Sequence, residues 1–454
     1  MTVIDATDTL RERAAAAVRV IAARLSDPEH VEAVTRASAQ ANADAGGKRL
    51  QLWQPLGLGD GYPGIALLFA ELGRDEQEYR ERTHAYLSAA MLTAGRPGTR
   101  LPYQGLYMGA PAVALAAHHA GSGSGDFTHL SGRLDPFVVD HATTVARQGM
   151  ARLRAGRPVG SWRVFDVISG TSGVGRLLLE RCLRTGDERI TAALREVLEL
   201  LATVATAPDT APGDGTGPAV PVWWSTEPMP VWPDATGHVN LGFAHGVGGP
   251  LALLALAWRA GVRVARHAEA VERITKLLAA WRSDDAYGPH WPFAVTVRPD
   301  GTWSRDPQAR VRDAWCYGVL GIARALQLAG QALDCAEWTR LGLDAARGAV
   351  AAMDQSVVRD FSLCHGWAGI VRIVDRMAAD SGDPALTDAV DPLAGKLLSG
   401  FTSDAPFGYR YAPATFPVGG DRPGYLEGAA GIALALHAVA TGEQPAADAG
   451  LLIA

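Results

Sequence analysis

Ser362-Leu363-Cys364-His365-Gly366-Trp367-Ala368-Gly369 sets two metal-ligand side chains directly before a small-residue frame, Gly366-x-x-Gly369. The frame opens an apolar run, Ile370-Val371-Arg372-Ile373-Val374. Earlier in the chain the same frame recurs as Trp315-Cys316-Tyr317-Gly318-Val319-Leu320-Gly321, again with a cysteine two places before the first glycine. Five further copies begin at Gly61, Gly109, Gly170, Gly246 and Gly428, and in the second of these Ala112 replaces the second glycine. The copies lie 48 to 76 residues apart, too irregular for a stacked solenoid but suited to helix pairs joined by loops of varying length.

Segments after the frames are apolar nearly all round, as expected of helices buried on every side. Segments between them carry the charge and read as amphipathic, for example 75–93 and 265–282. Small residues at the start of each buried helix would let seven of them converge without backbone clash. The expected fold is therefore all-α: an (α/α)7 double-layered toroid of about fourteen helices, an inner and an outer ring of seven. Ordinary turns and helix C-caps account for single glycines, but not for their fixed place before an apolar run.

Asp8-Thr9 can cap a first helix with the stripe Leu10, Ala14, Val18, Ile21 and Leu25, and a second helix is expected over 29–43. Long irregular loops interrupt the pattern at 207–238, 287–308 and 401–424, the middle one a hairpin candidate. Each precedes a frame, so all three are expected on one face, as walls of a substrate cleft. A polar loop is expected over 121–133.

A chain of 454 residues carries a prior of about two to four domains. The repeats argue instead for a single domain spanning 1–454. Hydrophobic residues make up 48%, enough for a large core, and a net charge of −6 argues against nucleic acid as a partner. Four cysteines in this length do not make a disulfide framework. Cys182 and Cys335 fall in helical patterns and read as buried hydrophobes. Arg11, Arg13, Arg19 and Arg24 break up the N-terminal region, which leaves neither a secretory signal nor a transmembrane segment. A cytoplasmic location is expected.

The chemistry lies just before the first glycines. Unit four offers His245, unit five Cys316 and Tyr317, unit six Cys364 and His365, unit seven Glu427, and Asp166 stands four places before Gly170. Converging helices would bring these turns together, and Cys316, Cys364 and His365 would form a Cys₂His zinc set with a fourth position open. The plainer alternative is two unrelated buried cysteines. A thiolate-rich zinc is a modest Lewis acid but a good carrier of a reactive thiolate. That favours sulfur alkylation over hydrolysis.

Gly242-Phe243-Ala244-His245-Gly246, Arg312-Asp313-Ala314-Trp315-Cys316-Tyr317-Gly318 and Leu363-Cys364-His365-Gly366 resemble the signatures of the LanC family, the bacterial lanthionine-forming cyclases. The resemblance runs from about residue 56 to 439. It implies an α/α toroid carrying one zinc per chain. The implied reaction adds cysteine thiols of a ribosomally made peptide to dehydroalanine or dehydrobutyrine, giving thioether rings. Carried over by motif, Cys316, Cys364 and His365 are the zinc ligands. His245 and Asp166 match the acid/base positions, and Arg312 and Tyr317 match active-site neighbours. Asp166 has an alternative reading as a cap on the helix beginning near Gly170, and His245 one as a structural histidine.

The implied substrate is a dehydrated precursor peptide, leader plus core, with a dehydratase and an exporter as further partners. The Trp-Cys-Tyr-Gly wording favours bacterial cyclases over eukaryotic relatives concerned with glutathione. No segment reads as the small inserted β-domain that some members carry. The rival function is a non-catalytic zinc and thiol (glutathione-like) binding protein on the same scaffold. A prenyltransferase-like enzyme would need an Asp-x-Cys ligand pair, which is missing.

Overall fold

Thr9 starts the helical chain with a reciprocal cap: its hydroxyl accepts the Glu12 N–H, and the Glu12 carboxylate accepts the Thr9 N–H at 2.8 Å. α1 (Leu10–Arg24) then buries Ala14, Val18 and Ile21, the expected stripe, and Leu25 is buried just beyond it. α2 (Pro28–Asp44) follows an Asp27 cap where the second helix was expected. The computed structural model describes residues 9–47, 51–96, 105–121, 127–209, 220–227, 237–298, 302–305, 313–353, 358–412 and 417–454. Asp8, most of the loop at 207–238, and residues 299–301, 306–308 and 413–416 of the other two loops lie outside them.

Beyond α2 come α3 (Tyr62–Leu72), α4 (Gln77–Ala94), α5 (Ala110–Ala120), α6 (Thr128–Arg154) and α7 (Thr171–Thr185). Next are α8 (Glu188–Thr206), α9 (Gly248–Arg259), α10 (His267–Trp281), α11 (Val319–Ala332) and α12 (Ala336–Ala351). α13 (Trp367–Ser381), α14 (Pro384–Leu398) and α15 (Ala429–Thr441) complete fifteen α-helices among the described residues. Every odd-numbered helix from α3 onward starts at a glycine frame. In α11 each residue from Val319 to Gly330 is buried, so no face is left for solvent. Between them run amphipathic helices such as α8, which buries Ile190, Leu194, Val197 and Leu201 and exposes Arg195.

The chain divides into two compact units. One comprises Met1–Tyr103, Tyr107–Asp135 and Val358–Asp448, and in it the frame helices pack side by side in the order α13, α15, α3, α5. Helices α14, α1 and α4 pack on α13, α15 and α3. The other comprises Gln104–Leu106, Pro136–Val357 and Ala449–Ala454, and there α7, α9 and α11 are neighbours, with α8, α10 and α12 on them. No helix among the described residues is long and apolar enough to cross a membrane.

Sterics explain why the frame needs its second glycine. A Cβ on Gly64, Gly173, Gly369 or Gly431 would lie 1.8–2.0 Å from the carbonyl oxygen six residues upstream, and on Gly321 2.3 Å from that of Trp315. The same approach satisfies the helix ends. Frame helices lack side-chain caps. Instead Gly321, Gly369 and Gly431 donate their N–H to the carbonyls of Ala314, Ser362 and Gly424 at 3.2–3.3 Å. Each preceding turn is thereby fastened to its helix.

Strands are few. β1 (Val239–Asn240), β4 (Ala294–Val297) and β5 (Trp303–Arg305) form an antiparallel sheet in the order β1-β4-β5; β2 (Ser283–Asp285) and β3 (Gly288–His290) form a separate hairpin. The expected hairpin is β4–β5, with Val295 opposite Arg305 and Val297 opposite Trp303. Two expectations are corrected. The stretch read as a polar loop is helical from Thr128, because Leu134, Val138, Ala142 and Ala146 continue a buried i, i+4 stripe through Pro136. Cys182 and Cys335 are half-buried, not buried. Cys182 Sγ lies 3.1 Å from the Thr191 hydroxyl, and Cys335 takes the N-cap position of α12, where a helix start meets solvent.

Two glycine substitutions separate close approach from ordinary helix propensity. Gly431→Ala is expected to cost about 3 kcal/mol, because the added methyl meets fixed backbone. Gly395→Ala, inside α14 with nothing within 4 Å of the new methyl, is expected to gain up to about 1 kcal/mol. Chemical denaturation of the two variants checks both signs.

Candidate active site

Asp166 is fully buried at the end of a short 3-10 turn, Trp162–Val164. Its Oδ1 accepts the Ser169 N–H at 2.8 Å, and its Oδ2 lies 2.7 Å from Nδ1 of His245. Asp166 thus holds His245 and braces the turn ahead of α7, but it does not cap that helix, whose N-cap is Gly170 with no side-chain hydrogen bond. Burial pushes its carboxyl above the ordinary range, against the opposing pull of His245 and of the Ser169 and Gly170 N–H groups. The His245 side chain is 33% exposed, so the pair has a dry end and an accessible end. With Nδ1 engaged, Nε2 is the nitrogen that can meet a ligand. The imidazole stands between two aromatic rings, Trp162 and Tyr317, at centroid distances of 6.2 and 6.1 Å.

Tyr317 is placed by three neighbours. Its hydroxyl accepts from Asn240 Nδ2 at 2.9 Å, its ring packs on Phe293, and Gly242 has no side chain to collide with it. Cys316 is buried, and its carbonyl accepts the N–H groups of both Phe243 and Ala244. The turns carrying His245 and Cys316 are therefore tied by backbone hydrogen bonds. Beneath them the Trp315 indole donates to the Leu451 carbonyl at 2.9 Å, and Arg324 donates to that of Ile453 at 2.8 Å. Arg312 lies outside the described residues.

Cys364 and His365 occupy the turn before α13. The Cys364 N–H donates to the Leu426 carbonyl. Nε2 of His365 lies 3.3 Å from Oδ2 of Asp360, whose Oδ1 accepts the Ser362 N–H at 2.5 Å. Burial alone would raise the Asp360 carboxyl, but the hydrogen bonds and charge of His365 and Ser362 outweigh it and hold it below its usual range. In the same unit Arg422 binds Asp60 through two nitrogens, pairs with Glu427 and lies over the Tyr411 ring. Burial leads in raising Glu427, with Arg422 opposing.

Cys364 and His365 stand in one unit and Cys316 in the other, each at the turn before its frame helix, and together they offer the donor set that the sequence singled out. Two thiolates and an imidazole suit zinc, and suit neither magnesium nor calcium. Residues beyond the sequence reading are Asp360, Asn240, Trp162 and the Asp60–Arg422 pair. Asp360, Asn240 and Arg422 share the offset of Arg312, six places before a first glycine, and Asp60 shares that of His245, one place before. The position recurs but the side-chain chemistry does not, so the donor types at matching offsets did not single them out.

A family model described as lanthionine synthetase C-like protein matches residues 52–452. Nisin biosynthesis protein NisC of Lactococcus lactis subsp. lactis is 23% identical over 327 residues, covering 70% of this chain and 72% of that protein. The solved structure of nisin cyclase superposes with a TM-score of 0.69 at 20% identity, over 93% of this chain and 97% of that one. This likeness shows the fold class, the α/α toroid.

Asp166 also carries a pH signature. Its folded carboxyl holds a proton more tightly than the unfolded one, so its contribution to stability is present below about pH 3.9 and is lost as pH rises through the folded value. At neutral pH the buried charge is a net cost. Asp166→Asn is therefore expected to melt no lower than the parent at about pH 7, with the difference shrinking toward about pH 4. Thermal scans across that range check it; a lower midpoint at neutral pH would mean that pairing with His245 outweighs burial.

Proposed function

The chain belongs to the lanthionine synthetase C-like family, and on that premise we propose that it is a lanthipeptide cyclase. It adds cysteine thiols of a dehydrated precursor peptide to dehydroalanine or dehydrobutyrine, forming lanthionine and methyllanthionine rings. The observation that carries the reading is the buried Asp166 carboxylate 2.7 Å from the accessible His245 imidazole. A module that only stored a thiol would have no use for a charge buried at a cost in order to orient an imidazole.

In this reading Cys316, Cys364 and His365 hold one zinc ion. Bound there, zinc supplies an open position that keeps a substrate thiol deprotonated and nucleophilic near neutral pH. Addition to the β-carbon leaves an enolate whose α-carbon needs a proton. The reaction is proton-neutral overall, because the proton released by the thiol is the one that the α-carbon requires. Nε2 of His245 carries it, and Asp166 fixes the ring and stabilises its charged form. Arg312 and Tyr317 are assigned to the enolate oxygen, with Asn240 holding the Tyr317 hydroxyl. Trp162 gives the imidazole a second aromatic neighbour.

The same reading takes residues 1–454 as one working domain and the loops before the frames as the cleft walls. It places the enzyme in the cytoplasm, with a dehydratase ahead of it and an exporter after it.

Purified protein is expected to contain about one zinc per chain by elemental analysis, and Cys364→Ala to lose most of it while the helical signal stays. His245→Ala should keep zinc and peptide binding yet close rings about 10²- to 10⁴-fold more slowly, whereas Cys316→Ala should lose both metal and activity. Zinc content measured beside cyclisation of a dehydrated precursor decides between the roles. Loss of zinc from the His245 variant would make it a fourth ligand. An unchanged rate would return the chain to the binding-only class.

A further inference from the structure

Of the aspartate–histidine pairs among the described residues, the two that lie at the turns before frame helices engage opposite ring nitrogens. Asp166 takes Nδ1 of His245, while Asp360 takes Nε2 of His365. A carboxylate can only accept, so each aspartate decides which nitrogen carries the hydrogen and which is presented elsewhere. We propose that Asp360 is a positioning residue for the metal centre: it binds Nε2–H of His365 and thereby makes Nδ1 the atom that meets the ion.

The local structure is built to hold that relation. Asp360 Oδ1 accepts the Ser362 N–H at 2.5 Å, while the Asp360 carbonyl accepts the first N–H of α13, from Trp367, at 3.0 Å. Ser362 is itself buried, and its hydroxyl accepts the His365 N–H at 3.4 Å. Gly366 cannot carry a side chain here, because a Cβ would lie 2.3 Å from the Ser362 nitrogen and 2.6 Å from the Asp360 carbonyl. The aspartate is thus fixed at its backbone and at one carboxylate oxygen, which leaves the other oxygen to act on the imidazole. Such an anionic acceptor orients a ligating histidine and raises its basicity, so its loss typically weakens metal binding about 10- to 100-fold.

The inference rests on the assignment of His365 as a zinc ligand, and the test keeps the two apart. Full-length parent, Asp360→Asn and His365→Ala are titrated with zinc against a chromophoric chelator, and the metal-free melting of each is recorded. Asparagine retains an acceptor for the Ser362 N–H, so a purely structural Asp360 would show unchanged affinity. The expected result is a loss of about 10- to 100-fold for Asp360→Asn with metal-free melting near the parent's. Nitrogen-15 spectra of the zinc-loaded, histidine-labelled parent should show His365 metallated at Nδ1 and protonated at Nε2. Affinity within about twofold of the parent, while His365→Ala binds poorly, would overturn the role of Asp360 alone. Metallation at Nε2 would overturn it as well. Parent-like affinity of His365→Ala would overturn the ligand assignment and this inference together.

Discussion

The close approach of a glycine Cα to a carbonyl six residues upstream is the constraint on which the rest of the structure depends. Where Gly369 meets Leu363 and Gly321 meets Trp315, the intervening turn holds Cys364 with His365 in one case and Cys316 with Tyr317 in the other. Gly249 likewise packs over Phe243, across the turn that holds His245. A turn clamped at both ends by backbone contacts keeps its side chains in place without help from their own packing. Reactive residues can therefore point away from the core and still be fixed, which is what a preorganised site requires.

Held this way, the site can tolerate groups that would otherwise be penalised. Asp166 is a carboxylate with no solvent, and its hydrogen bonds only partly offset burial. The cost is local, and frame helices of the same unit, such as α9 and α11, are buried along nearly their whole length. Glu427 is in a similar position, with its burial opposed by Arg422. Arg422 in turn is neutralised from its other side by Asp60. Asp166, Glu427 and Arg422 each meet an opposite or hydrogen-bonding partner, as a dry interior demands.

What could be read from the sequence followed from how local the cause is. The frames were legible because sterics admit almost no other residue at Gly64, Gly173 or Gly431, so the pattern repeats whatever surrounds it. Cys316, Cys364 and His365 were legible by donor chemistry at matching offsets. Asp360 was not, since its place six residues before a first glycine is filled by Asn240, Arg312 and Arg422 in other units, and a position whose chemistry changes from unit to unit names no role. The pairing of Asp60 with Arg422 joins residues 362 apart and leaves no trace in any window. The start of α6 was hidden by Pro136, which reads as a breaker although the stripe of Leu134, Val138 and Ala142 runs on through it.

The hydrogen bond from the Trp315 indole to the Leu451 carbonyl has a consequence for how the protein is made. The donor is translated 136 residues before its acceptor. At roughly 5–20 residues per second, Trp315 waits on the order of ten seconds for its partner to exist. Arg324 waits as long for the Ile453 carbonyl. During that interval the turn bearing Cys316 lacks its floor while the thiol has already left the ribosome. The order of synthesis therefore makes the anchoring of this turn one of the last steps in assembling its unit, since it waits for Leu451 to Ile453.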